Sequence, residues 1–321
     1  MKSSHHSNNR SESANSKGYF HTLLKDMKKG WQLYVIFLLP LLYILIFKYY
    51  PMYGAIIAFK DYDPILGILG SPWVGLEHVK NFFESFEFWR VFNNTLILGI
   101  YQMLATFPFP ILLALSLNYV YSKRFKKFTQ MVTYAPHFIS VVVIVGILFM
   151  VLDIRGPINS LLSLFGVDSI NFMGKASLFK SIFVWSDVWQ NIGFSSIIYL
   201  AALSGVDPEL HEAAIVDGAT KLKRIKHIDI PSLLPTIIIL MILNMGNFLD
   251  MGFEKALLMQ NPLNISSSEI IDTYVYKVGL TSALPQYSYA AAIGLFKGVI
   301  GFILIVGANK FANKIGQEGL W

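Results

Sequence analysis

The chain has 321 residues, 54% of them hydrophobic and 14% charged, with a mean hydropathy of +0.52. A soluble domain carries roughly 25% charged residues, so composition excludes a water-soluble globular protein and points to one embedded in lipid. With no cysteine there is no disulfide, thiolate nucleophile or thiolate metal ligand, and the net charge of +6 is spread over loops, not gathered into a nucleic-acid-binding patch.

Residues 1–30 are polar, rich in Ser and Asn, and basic. Such a segment cannot bury a core and is expected to be a partly disordered tail. His5 and His6 stand in it without further ligands, so no metal site is expected. Leu33–Phe47 is apolar and follows basic residues, as a signal peptide would, but Lys48-Tyr49-Tyr50-Pro51 offers no small-residue cleavage site. An uncleaved first span over about 33–50 is expected, ending in an aromatic belt at Tyr49, Tyr50 and Tyr53. Met52–Phe59 is too short to cross and is expected at the interface. Trp73, Phe82, Phe83, Phe86 and Trp89 suggest short amphipathic helices on the surface.

Further apolar stretches lie at about 95–117, 132–152, 181–203, 233–253 and 288–308, each close to the ~20 residues that a bilayer crossing needs. The expected fold is an all-α membrane protein, a six-transmembrane-helix bundle formed by residues 31–321. Pro108 and Pro110 should bend the second span. Orientation follows from Lys and Arg. With residue 1 inside, the inner segments hold sixteen of the twenty-six basic residues, the outer loops nine, and Lys297 lies within a span. Both termini and the 204–235 loop are then expected on the cytoplasmic side of a plasma membrane.

That loop, unlike the stretches on either side of it, is not apolar. Asp207 is suited to cap a helix and Pro208 to open it; Gly218 can end it in a left-handed conformation. A second short helix fits Thr220–Ile228, stopped by Pro231. Ala213, Ala214, Gly218 and Ala219 leave a surface almost free of side chains. Composition alone leaves two readings open: a helix resting on anionic lipid through Lys221, Lys223, Arg224 and Lys226, or a docking element for another protein.

The residue order adds to this. Glu212-Ala213-Ala214, Asp217-Gly218-Ala219, Ile228 and Pro231 resemble the EAA loop of ABC importer permeases. The chain departs from that pattern at Ile225, where Phe is frequent, at His211, where this branch often has Tyr, and at Asp229, where Thr is usual. From Leu33 on, the chain is similar to type I ABC importer permeases of the carbohydrate-uptake branch, in particular the LplB-like oligo- and polysaccharide group. Phe47–Gly54, Ala58–Tyr62, Tyr134–Ser140, Gly252–Lys255, Asp272–Tyr276, Gly294–Lys297 and Gly316–Trp321 carry this resemblance. It implies that Glu212, Ala213, Ala214, Asp217, Gly218 and Ala219 form a cytoplasmic coupling helix docking on an ATPase. The implied partners are a second homologous permease, two ATPase copies holding ATP and Mg, and an extracytoplasmic solute-binding protein that delivers a saccharide.

No phosphate-cradling Gly-x-x-x-x-Gly-Lys-Ser/Thr and no His-Glu-x-x-His occurs, so no catalytic residue, cofactor or metal is expected in this chain. Charges within spans are costly and mark pathways or structural pairs. Asp187, Asp250 and Lys297 fall within about 9 Å of depth of one another at 1.5 Å per residue. Lys297 is expected near Asp187 or Asp250, either as a purely structural pair or facing substrate. Asn244 and Asn247, three apart, share a helix face. Trp185, Trp189, Tyr199 and Phe248 are available to stack on sugar rings, although most such rings only pack. An ion-gradient-driven secondary transporter, using the intramembrane carboxylates, is the alternative reading.

Overall fold

A computed structural model describes residues 29–246, 248–250 and 252–314. The polar tail, the histidine pair and the terminal Gly316–Trp321 motif lie outside the described residues. Among those described there is no strand, only one antiparallel bridge between Lys60 and Trp73. The helical runs are α1 (Trp31–Phe59), α2 (Glu77–Glu84), α3 (Glu87–Asn118), α4 (Lys123–Phe138), α5 (Val141–Val151), α6 (Pro157–Leu164), α7 (Ala176–Ser204), α8 (Pro208–Val216), α9 (Lys221–Gly246), α10 (Phe253–Met259), α11 (Ile271–Tyr276) and α12 (Tyr287–Lys314).

Of these, α1, α3, α9 and α12 are long and apolar enough to cross a membrane, and the α4–α5 pair adds a fifth if counted as one bent span. The expected crossing at 181–203 corresponds to α7. This helix has 29 residues, long enough to span, but it carries Ser186, Asp187, Gln190 and Asn191 and is the most enclosed rod. These polar residues bond within the protein, Gln190 to the Ile139 carbonyl and Asn191 to Asp187.

Three boundaries differ from expectation, each for a local reason. The helix at residue 50 does not stop but continues to Phe59. Pro51 cannot donate to the preceding turn, and the five-residue π turn Leu45–Tyr49 lies just ahead of it. The same device recurs in α9. The π turn Ile225–Asp229 precedes Pro231, so this proline sits inside a continuous helix and does not end one. The expected single span at 132–152 is bent by 102° instead. Pro136 lies in a 3₁₀ turn, Ile139 and Ser140 are extended, and the Ser140 hydroxyl caps α5 by accepting from the Val143 amide at 3.4 Å.

The core forms around α7. Phe183, Val184 and Val188 pack with Leu98 of α3, Val145 of α5 and Met259 of α10. Gly193 lets α7 meet α4 backbone to backbone, since a Cβ there would lie 2.1 Å from the Thr133 carbonyl oxygen. Phe82 lies on the buried face of the short amphipathic helix α2, at the centre of an aromatic cluster with Phe88, Tyr274, Tyr289 and Phe296. Phe86 and Trp89 remain exposed.

Candidate functional site

The α8 loop folds as its caps dictate. The Asp207 carboxylate accepts from the Glu209 amide at 2.9 Å, Pro208 opens the helix, and Gly218 closes it at φ 75°. Thr220 caps the next helix by accepting from the Lys223 amide at 3.4 Å. No residue of α8 is buried. Glu212, Ala213, Asp217 and Gly218 are exposed, Ala214 and Ala219 half-buried, leaving a bare ridge of small residues.

Beneath that ridge lies a cluster the sequence did not announce. The fully buried Asp229 carboxylate accepts from the Tyr119 hydroxyl at 2.6 Å, and its other oxygen stands 3.3 Å from His211 Nε2. Burial, then the bond to Asp229, pushes the Tyr119 phenol up to about 12, so it stays a donor.

A second polar group gathers at the end of α9 remote from α8. Lys297 donates to Asp250 and, at 2.6 Å, to Asp272. Asp250 is not within a helical span, because α9 ends at Gly246 and the chain turns through Phe248–Asp250 to a left-handed Gly252. Asp187 is not a partner of Lys297. It accepts from Gln102 at 3.2 Å and Asn191 at 3.1 Å, and faces Lys255 at 3.8 Å. Similar depth along two helices sets height and not azimuth, so of the two expected neighbours Lys297 meets Asp250 and not Asp187. Burial pulls the Lys255 ammonium down to about 8, with Asp187 opposing. Asp272 and Lys255 both lie in family-like stretches, but a loop position carries no sign that they meet spanning residues.

Asp250 lines two cavities. One, of about 140 Å³, is bounded by Gln102, Thr106, Asn244 and Phe248; the other, of about 380 Å³, by Phe253, Asp272 and Tyr276. Asn244 also donates to the Leu240 carbonyl at 2.9 Å, and Asn247 lies outside the described residues. Trp185 and Trp189 are exposed; Trp185 donates to the Tyr101 hydroxyl at 2.9 Å. Tyr199 is buried in the core and unavailable to a sugar. Among the described residues no group of His, Asp and Glu suits a metal.

The chain is 45% identical over 296 residues to Protein LplB of Bacillus subtilis (strain 168), covering 92% of each chain. It is also 45% identical over 290 residues to that organism's polygalacturonan/rhamnogalacturonan transport system permease protein YteP, covering 90% of each. A crystal structure of a bacterial ABC transporter involved in the import of the acidic polysaccharide alginate matches with TM-score 0.84 and 38% identity, over 92% of this chain and 99% of that one. The same match, at TM-score 0.85, extends to that transporter in complex with an alginate pentasaccharide-bound periplasmic protein. Residues 89–317 match the model of the binding-protein-dependent transport system inner membrane component, and the chain belongs to that family.

Proposed function

We propose that this chain is the permease subunit of an ATP-driven sugar importer, forming half of the translocation pathway for an oligo- or polysaccharide handed over by an extracytoplasmic binding protein. The observation that carries this reading is the match at TM-score 0.84 to nearly the whole of an alginate-importer chain. In this reading the bundle crosses the membrane six times with both termini and the α8 loop in the cytoplasm. Glu212, Ala213, Ala214, Asp217, Gly218 and Ala219 enter a cleft of an ATPase subunit that holds the ATP and Mg. A second homologous permease supplies the other half of the pathway, and two ATPase copies close beneath the pair. The pathway passes Asp250, Asn244, Asn247 and Lys297, with Asp187 close by.

Each residue type suits its task. A ridge of Ala and Gly admits close backbone approach, and the flanking Glu212 and Asp217 give it polarity. Hydroxyl-rich substrate is served by Gln102, Asn244 and Asp250 around one cavity.

Proteoliposomes containing the chain, its partner permease, the ATPase and the binding protein test this. Uptake of a galacturonate trisaccharide or of a neutral glucose trisaccharide should require ATP and the binding protein. Uptake by the chain alone, driven by a proton or sodium gradient, would replace this reading with the secondary-transporter one.

A further inference from the structure

We infer that His211, Asp229 and Tyr119 form a side-chain clamp that makes the docking helix α8 move as one body with the inner ends of α3 and α9. This rests on the docking reading of α8 and goes beyond it by naming the residues through which force passes into the bundle.

The argument starts from how little holds α8. None of its residues is buried, and only His211 and Ala214 are half-covered, three apart on one face. The links at either end run through Gly205 and the left-handed Gly218, both of them turns. An exposed two-turn helix on such links would yield when pulled. What stiffens it is one side chain: the His211 imidazole reaches the fully buried Asp229 carboxylate of α9 at 3.3 Å.

That carboxylate is held from the other side by Tyr119, which directly follows the last residue of α3. The Tyr119 ring meets the His211 ring edge-on at 6.4 Å, and the Arg224 guanidinium lies 5.4 Å over its face. Three elements therefore converge on one buried anion. A carboxylate taken out of water is stable only with its donors in place, so the cluster resists being pulled apart. The Asp229 oxygen that His211 Nε2 faces at 3.3 Å is buried and makes no hydrogen bond in this structure, so the imidazole is the group placed to satisfy it. Two of the three positions where the loop departs from the family pattern, His211 and Asp229, are each other's partners.

The chain lacks cysteine, which allows nitroxide labels at Ser116→Cys on α3 and Val216→Cys on α8, both exposed positions. In the full importer, their separation is measured without nucleotide and with MgATP and vanadate. The clamp keeps the separation unchanged between the two states in the wild type. In His211→Ala, Asp229→Asn and Tyr119→Phe it shifts by more than about 2 Å, the scale of a helix displacement, on adding nucleotide. His211→Gln, whose amide nitrogen replaces Nε2 as donor, restores the wild-type result. A purely static role would not make the separation depend on nucleotide. Tyr119→Phe loses a single hydroxyl and serves where the other variants do not assemble. If His211→Ala and Tyr119→Phe behave as the wild type, or the wild type itself shifts, the clamp is overturned while docking stands. If the wild-type complex retains no ATPase, the docking reading falls with it.

Discussion

Lys297 stands between two carboxylates, and removing its charge leaves Asp250 and Asp272 facing each other. Lys297→Met takes away the ammonium that donates to both, so the two carboxylates lose the group that holds them together. Uptake should fall about tenfold, equivalent to about 1.4 kcal/mol of barrier, while size-exclusion chromatography shows the importer assembled. Wild-type uptake would remove Lys297 from the pathway. Lys255 makes a pH prediction. Its native ammonium is lowered to about 8, below the ordinary 10.5, chiefly by burial. Between those values the unfolded chain holds more protons than the folded one, so this group's contribution to stability rises with pH across that window. Below about pH 8 both states are charged and the burial penalty is constant. The melting temperature of the wild type minus that of Lys255→Met should therefore increase from about pH 8 to 10; a flat difference contradicts the burial. The Lys297–Asp250 pair was legible because both residues stood out against apolar neighbours. Asp272 and Lys255 were not, since nothing in a loop's composition says how deeply it dips into a bundle.

Helix ends were the most legible elements. Asp207, Pro208 and Gly218 act on their own backbone within a turn, so residue identity alone specifies them. At Gly218 the left-handed backbone costs a residue with a Cβ about 1–2 kcal/mol. Gly218→Ala should thus tilt the end of α8 and weaken ATPase retention about tenfold in pull-down, as compared with Gly146→Ala, where a Cβ meets nothing within 4 Å. Gly193 tests helix packing instead. Its obstacle is the backbone of Thr133, which cannot rotate aside as a side chain would. In lipid, helix association depends on such close packing. Gly193→Ala should force α4 and α7 apart and lower the yield of monodisperse protein several-fold; an unchanged yield and melting temperature would show that the contact is slack. The bend between α4 and α5 and the passage of α9 through Pro231 were not legible. A proline announces a missing donor, and whether the chain answers with a stop, a π turn or a corner depends on what packs beside it.

Over the whole molecule, α1 stands apart. It has no buried residue between Trp31 and Tyr53 and touches the bundle mainly through its last turns, where Ala58 is buried. A rod of 29 residues left so bare needs lipid or a second subunit along it. Co-expression with the partner permease should raise the recovered, monodisperse chain several-fold over expression alone; equal recovery would mean that lipid suffices. Hydropathy was enough to make this a helical membrane protein, and short-range chemistry at Asp207–Gly218 was enough to bound the helix α8, because both depend on each residue's own surroundings in the chain. The family order pointed to importers of sugars before any contact was known. Which charges meet was settled by folding: Lys297 chose Asp272 along with Asp250, Asp187 chose Lys255, and Asp229 drew in His211 and Tyr119 from two other elements. Those choices depend on the rotation of each helix about its own axis. That angle is set by close packing around Gly193, Phe183 and Phe82, across separations in sequence that no local pattern spans.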